Sequence, residues 1–331
     1  MPIYKIKHIT NYFYLEPVYD SINQMMLYPI ADQHQKVIHH SIKITDNPSV
    51  QVFTDKFGNT LGIFSYLQPH TELNITSDLE IETFAFSEPD NISHPDAAWN
   101  EYNYLQHDHR FRDFLQLENK GFFEEIKEIV FQLVNKNITP YENAKVFSEY
   151  IFENFIYTTG VTSIETEIDE IWTLKAGVCQ DFAHLLLVML RIVNIPARYV
   201  SGYICPKNDD FRGAGATHAW VEAFIPDYGW VGLDPTNNCV TSDQHIRLAV
   251  GRYFKDCTPF KGIYKGKLDH RLEVSVIVEN AETPSSATRI FTEDLFKSIE
   301  PSMVSEIKSS TTVGTNSYQA FIQMQQQQQQ Q

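Results

Sequence analysis

An α+β protein is predicted by three features of this 331-residue chain. Apolar and polar residues alternate through most of residues 3–85. Apolar residues then recur at three- and four-residue spacing between about 122 and 193, and alternation returns at 217–225 and 272–279. The order is a β-rich domain, a helical segment, and strands again.

Residues 3–14 read as a long strand with Tyr4, Ile6, His8, Tyr12 and Tyr14 on one side. Segments near 36–45, 50–53, 61–68 and 72–85 continue the period of two, with Asp55-Lys56-Phe57-Gly58-Asn59 as a turn. This gives an N-terminal β-rich domain over 1–86, whose aromatic residues are expected in its core. Residues 87–103, with Pro89, Asp90, Asn91, Ser93 and Pro95, read as a linker. A second domain then spans 104–280. Its first stripe is Phe122, Phe123, Ile126, Ile129, Val130 and Leu133. A second follows Pro140, with Val146, Phe147, Tyr150, Ile151 and Phe155. Residues 272–279 (LEVSVIVE) alternate and return to a sheet. From 281 the chain turns to Ser, Thr and Glu and ends in Gln325 to Gln331, a composition that predicts disorder.

Between these lies AGVCQDFAHLLLVML, with Cys179 directly after Gly177 and Val178. From Cys179 to Asn194 the apolar residues leave little polar face, so the segment reads as a buried central helix starting within a residue or two of Cys179. Free N–H groups and the positive end of the helix dipole would then face the sulfur. They favour thiolate over thiol and can receive an oxyanion. A lone cysteine is usually a small core residue. This one has suitable partners downstream, in ATHAWVEAF and GWVGLDPTN: His218 opens one strand and Asp234 closes the next. Thiol, imidazole and carboxylate are the parts of a cysteine nucleophile machine.

His184 is a poor base, because five residues along a helix turn it about 140° from Cys179. Asp181 and His184, three residues apart on nearly one face, are expected to pair and support the helix. His218 is the better base. Its strand puts His218, Trp220, Glu222 and Phe224 on one face and Ala219, Val221, Ala223 and Ile225 on the other, which can lie against a helix. Placing Asp234 opposite His218 centres the turn at Pro226. A three-residue loop at Asp227, Tyr228 and Gly229 would instead set His218 opposite Asn238 and displace Asp234 by roughly 13 Å. Asn237 and Asn238 are the alternative orienting groups. Trp172 and Trp220 are core residues by default and could lend an indole N–H or shield the site from water.

The stretches GVCQDFAHLLLVMLRIVNIPARYVSGY and THAWVEAFIPDYGWVGLDPTNN resemble the transglutaminase-like superfamily, in its bacterial-type branch of candidate cysteine proteases. The likeness extends through IYTTGVTSIETEIDEIWTLKAGVC and VGRYFKDCTPFKGIYKGKLDHRLEVSV. It also takes in YKIKHITNYFYLEPVYDSINQMMLYPI and DKFGN, which resemble the N-terminal domain of that branch. The resemblance implies a papain-like core, a catalytic helix packed on an antiparallel sheet, preceded by the β-rich domain. It implies Cys179 as nucleophile, His218 as base, Asp234 as orienter, and amide chemistry through a thioester attacked by water or an amine. Asp181, His184 and Trp220 are the supporting residues. Cys257, where a small aliphatic residue is expected, and the glutamine-rich end depart from the pattern.

Composition bounds the rest. With 43% hydrophobic and 21% charged residues, the chain is an ordinary soluble type of two-domain length. A net charge of −16 disfavours nucleic acid, since phosphate binding needs clustered Lys and Arg. No run suits a membrane span or a signal peptide, so a cytoplasmic protein is expected. The expected partners are a peptide or protein substrate and an amine acceptor. Cys179, Cys205, Cys239 and Cys257 lack paired or metal-ligand spacing and read as free thiols. His34, His39, His40, His107 and His109 form no metal site with acidic or sulfur ligands, and no cofactor is required. The rival reading is a non-catalytic interaction scaffold, which would have no need of all three of Cys179, His218 and Asp234.

Overall fold

The computed structural model describes residues 1–85, 88–89, 94–117, 123–163, 166–205, 211–212, 217–267, 270–281, 287–291 and 313–317. The N-terminal unit is built on β1 (Ile3–Met25), longer than the strand expected at 3–14, with β2 (Gln35–Ile44), β3 (Gln51–Thr54), β4 (Thr60–Tyr66) and β5 (His70–Thr83). Its first half pairs with β5, and β5 with β2. After a change of register beyond Phe13, its second half pairs with β4, and β4 with β3. One strand thus serves two sheets, and Tyr4, Ile6, His8, Tyr12 and Tyr14 are buried as the alternation requires. In the turn before β4, Asp55 Oδ1 accepts the N–H groups of Phe57 and Asn59.

The helical layer comprises α1 (Pro95–Leu105), α2 (Arg112–Leu115), α3 (Glu124–Leu133), α4 (Pro140–Asn154), α5 (Ile168–Leu174) and α6 (Cys179–Ile192). Helix α1 corrects the linker expected at 87–103. Its Trp99 and Tyr102 are buried, donating to the carbonyls of Ile138 and Phe224 at 2.9 and 2.8 Å, so helix packing overrides the loop-like composition before it. Phe122, expected in the α3 stripe, lies outside the described residues. Helix α4 starts where Thr139 and Glu142 satisfy each other's backbone N–H groups, an exchange worth about 1 kcal/mol. The short strands β6 (Ile156–Tyr157) and β7 (Ala176–Gly177) pair in parallel immediately before α6.

Helix α6 packs on a five-stranded antiparallel sheet ordered β11-β10-β9-β8-β12. Its strands are β8 (Ala197–Ile204), β9 (Thr217–Ile225), β10 (Gly229–Asp234), β11 (Cys239–Val240) and β12 (His245–Gly251). Phe182, Leu185, Leu186, Met189 and Leu190 have no exposed surface and share a core with Ala219, Val221, Ala223, Val231 and Leu233. Each such large apolar side chain contributes roughly 1.5–3 kcal/mol. At the far end of α6, buried Arg191 donates to the carbonyls of Phe114, Gln116, Ala197 and Arg252, placing a cation at the negative end of the helix.

After a short 3₁₀ turn at Phe254–Asp256 the chain leaves this sheet. Strands β13 (Phe260–Lys265) and β14 (His270–Asn280) both pair with β1, completing the N-terminal unit. The assignment of everything through 280 to the second domain is corrected accordingly: 272–279 is a strand, but of the first unit. Local alternation specifies a strand and not which sheet receives it. From 281 onward, where disorder was expected, two stretches are strands: β15 (Ala287–Phe291) on β14 and β16 (Val313–Ser317) on β13. Both add to open sheet edges, which supply the backbone bonds that composition does not reveal. The remainder of that segment, including the glutamines, lies outside the described residues.

The two units meet along β12. Gln35 exchanges two hydrogen bonds with the backbone of Arg247 (2.8 and 2.9 Å), and Asn59 two with the backbone of Val250 (2.8 and 2.7 Å). Each side-chain amide stands in for a neighbouring strand. Ile30 and Phe57 pack on the buried cluster of Val200, Trp220 and Val250, on the sheet face away from α6.

Candidate active site

Cys179 is the first residue of α6, half-buried, behind Val178 at the cap position. The first intrahelical bond is Phe182 N–H to the Val178 carbonyl, so the N–H groups of Cys179 and Gln180 have no partner within the helix. The Val178 N–H instead donates to Asp181 Oδ2 at 2.8 Å, and that oxygen also accepts Thr162 Oγ1 at 2.5 Å. Asp181 therefore ties the first turn of α6 to the segment after β6. Gly177 is required here, because a side chain at that position would meet Asp181 Oδ2 at 2.5 Å. Burial pushes the Asp181 carboxyl up to about 6, against the two hydrogen bonds.

The expected pairing of Asp181 with His184 is corrected. His184 Nε2 accepts the Phe254 N–H at 3.2 Å, and its ring lies 5.3 Å from that of Tyr199. Each residue supports the helix, but toward different neighbours, because the packing around α6 offers each a closer partner than the other. Burial, then Arg191 and Lys255, lowers the His184 imidazole to about 3.

His218 and Asp234 meet at 2.8 Å, Nε2 to Oδ2, both fully buried. Nδ1 of His218 has no conventional partner among the described residues, and the Cys179 thiol interacts with the ring both as a hydrogen-bonding group and electrostatically. Burial alone would lower the imidazole; the Asp234 carboxylate, assisted by Cys179, outweighs it and raises it. Burial works equally against the Asp234 charge, and His218 with His245 holds that carboxyl well below its ordinary range. Each charge favours the other, so imidazolium and carboxylate are the forms this pair stabilises.

The strand register is neither of the two anticipated. Gly229 pairs with Ile225 and Leu233 with Val221, so the loop is Pro226, Asp227 and Tyr228, and continuing the register sets Asp234 across from Trp220. Asp227 takes a positive φ of 64° and the Tyr228 N–H returns to the Ile225 carbonyl. His218 reaches Asp234 diagonally, two residues along the same face, a separation of about 7–8 Å between backbones that these side chains span. Direct opposition was an unnecessary condition.

Asn237, weighed as a substitute orienter of the imidazole, holds the carboxylate instead: Nδ2 donates to Asp234 Oδ2 at 2.7 Å, and Oδ1 accepts the Arg212 N–H. The Thr236 N–H takes Asp234 Oδ1 at 2.9 Å. Trp220 is buried, its ring 6.2 Å from that of His218 and 5.2 Å from that of His245. Trp172 Nε1 donates to Glu125 at 3.1 Å and is committed away from the site.

Sequence reasoning missed two neighbours. Tyr157, paired through its backbone with Gly177, is raised by burial and then by the charges of Cys179, Asp181 and Asp234. His245, at the start of β12, brings Nε2 to 3.5 Å from Asp234 Oδ2. The available signal was a histidine opening an alternating run, as at His218. Behind these residues a cleft of about 380 Å³, counting its open mouth, is lined by Trp220, Glu222, Trp230, His245 and Arg247, with His34 from the other unit. All four cysteines are free.

This chain belongs to the transglutaminase-like superfamily. The model of that superfamily matches residues 127–235, and the bacterial transglutaminase-like N-terminal region matches residues 4–82. An uncharacterised protein of Mycobacterium leprae, ML0607, is 33% identical over 276 residues, covering 82% of this chain and 96% of that protein. A protein-glutamine gamma-glutamyltransferase of Pseudomonas aeruginosa is 31% identical over 106 residues, 28% of this chain and 15% of that protein. The solved structure of a candidate cysteine protease from Cytophaga hutchinsonii superposes with a TM-score of 0.69 at 19% identity, covering 88% of this chain and 94% of that one. The papain-like α+β core and its β-rich N-terminal companion are thus shared with that structure, and the family is one of cysteine-dependent enzymes. Among the described residues, no helix is long and apolar enough to cross a membrane.

Proposed function

We propose that the protein is a cysteine-dependent amide-bond hydrolase, a peptidase or amidase, working through a thioester on Cys179. The observation that carries this reading is the buried His218, hydrogen-bonded to Asp234 through Nε2 and interacting with the Cys179 thiol. Cys179, as a thiolate paired with the His218 imidazolium, attacks a peptide or glutamine side-chain carbonyl. The oxyanion is received by N–H groups at the start of α6, which have no partner in the helix. His218 then gives its proton to the leaving amine, and Asp234, held by Asn237 and Thr236, keeps the ring aligned through both transfers.

Water resolves the thioester, regenerating the thiol and releasing a carboxylic acid; an amine in its place would give a new amide. Hydrolysis is favoured because nothing in the described site excludes water in favour of an amine. The test is mass spectrometry of Cys179 after incubation with peptide and amide libraries, with and without added amine. An acyl adduct on Cys179 that disappears in water is expected. Undiminished turnover by the Cys179→Ala variant would sink the mechanism, and amide products formed in preference to acid would turn the assignment to transfer.

A further inference from the structure

We propose that His245 is a positioning residue for the Asp234–His218 pair, its Nε2–H acting as a third donor toward the carboxylate oxygen that holds the imidazole. The proposal rests on the cysteine-enzyme reading above and adds a member to its machinery.

The tautomer follows from the backbone. The Ser242 N–H donates to His245 Nδ1 at 3.2 Å, so that nitrogen presents a lone pair and the proton of the neutral ring sits on Nε2. Nε2 is buried, has no hydrogen-bond partner among the described residues, and lies 3.5 Å from Asp234 Oδ2. A buried N–H this close to a carboxylate favours the charged form of the acid. The ring cannot easily turn away, because Trp220 packs edge-to-face against it at 5.2 Å.

The same tautomer argues against the other use of this corner. Asp234, Cys239 and His245 bring ligand atoms within 4.8 Å of one another, a spacing that a metal ion could exploit. A metal needs the Nε2 lone pair, which here carries the proton. Asp234 already receives His218, Asn237 and Thr236. Burial, and then Asp234, keeps the Cys239 thiol protonated by pushing it up to about 12. The donor set is organised for hydrogen bonds.

His245 does what Asn237 and Thr236 cannot. Those two sit within three residues of Asp234 and move with its turn. His245 opens β12, the opposite edge of the sheet from β10 and β11, and the strand on which the N-terminal unit is docked. It therefore fixes the carboxylate relative to the rest of the sheet and not merely to its own loop.

The experiment uses the full chain and iodoacetamide as the probe, so no substrate is needed. The alkylation rate of Cys179 at pH 7 is followed by mass spectrometry in the wild type and in the His245→Leu, His245→Gln, His245→Asn and His218→Ala variants. The proton resonance of His218 Nε2–H is followed by NMR in the same proteins. His245→Leu should slow alkylation about tenfold, as expected for losing a donor to a charged group, and shift or broaden the resonance. His245→Gln, whose amide reaches the Nε2 position, should restore most of both; His245→Asn, which is shorter, should not. A folded Leu variant with wild-type rate and resonance overturns the proposal. If the Leu variant does not fold, equal rates for Gln and Asn do so. Should His218→Ala alkylate like the wild type, the Cys179–His218 pairing itself fails, an outcome separate from any result at His245.

Discussion

The two faces of the five-stranded sheet are made by the same strands and do opposite work. Toward α6 lie Ala219, Val221, Ala223, Val231 and Leu233, small or aliphatic, and they hold the helix by apolar burial. On the other face, beside the apolar cluster of Val200, Trp220 and Val250, lies a row of side chains that are polar and yet buried. Glu222, 4% exposed, receives Arg198 at 2.6 Å and Arg247 at 3.4 Å, Arg247 pairs also with Asp32 of the N-terminal unit, and His218, Asp234 and His245 continue the row. Burial would raise the Glu222 carboxyl, but the two guanidinium groups outweigh it and keep it below its ordinary range. One face tolerates any well-packed apolar set; the other depends on each charge keeping its partner. Cys179 is carried by the helix on the forgiving face, and His218 with Asp234 sits on the demanding one.

The contrast is broken most severely at Asp234. Asp234→Asn should lower turnover of the folded protein by about 10⁴-fold, through a misoriented ring; an activity within tenfold of the wild type would show that the polar face aligns nothing. In stability the demanding face should lead. Glu222→Ala leaves two buried guanidinium groups with one carboxylate fewer and should cost about 3–5 kcal/mol in urea unfolding. Leu186→Ala on the opposite side should cost about 2–5 kcal/mol by opening a cavity, with no change in Cys179 alkylation by iodoacetamide once folded.

Asp181 sharpens the comparison through pH. Its carboxyl titrates near 6 in the folded protein, above the ordinary 3.8, so the native state binds the extra proton and this group's contribution to stability falls as pH rises from about 4 to 6. Asp181→Asn should remove that decline, on the order of 2 kcal/mol between pH 4 and 7, seen as a flatter pH dependence of urea midpoints. Identical slopes in both proteins would mean that Asp181 titrates as a solvent-exposed acid. The smallest effect is expected where the units meet: Gln35→Ala removes two hydrogen bonds to β12 and should cost about 1–2 kcal/mol. Faster proteolysis at the junction, with Cys179 alkylation unchanged, would be the accompanying sign.

Much of this was legible locally. A helix starting at Cys179, its burial on nearly every side, and the apolar and polar faces of the His218 strand all follow from spacing, since periodicity is a property of the chain itself. Partners were not legible. Asp181 and His184 sit at the right interval to bind each other, and neither does, because Thr162 and Phe254 come closer once the chain is folded.

The sequence by itself determined the family, the β-rich unit followed by helices and further strands, and which residue types could serve as nucleophile, base and orienter. Those are carried by periodicity, turn residues and motif order, which need no knowledge of distant contacts. Only the tertiary structure decided that Asp234 reaches His218 diagonally, that Asn237 and His245 converge on the carboxylate, and that strands after residue 260 return to β1. Register and convergence depend on how the sheet closes, and a shift of one or two residues in a turn redirects side chains without altering the alternation that a sequence displays.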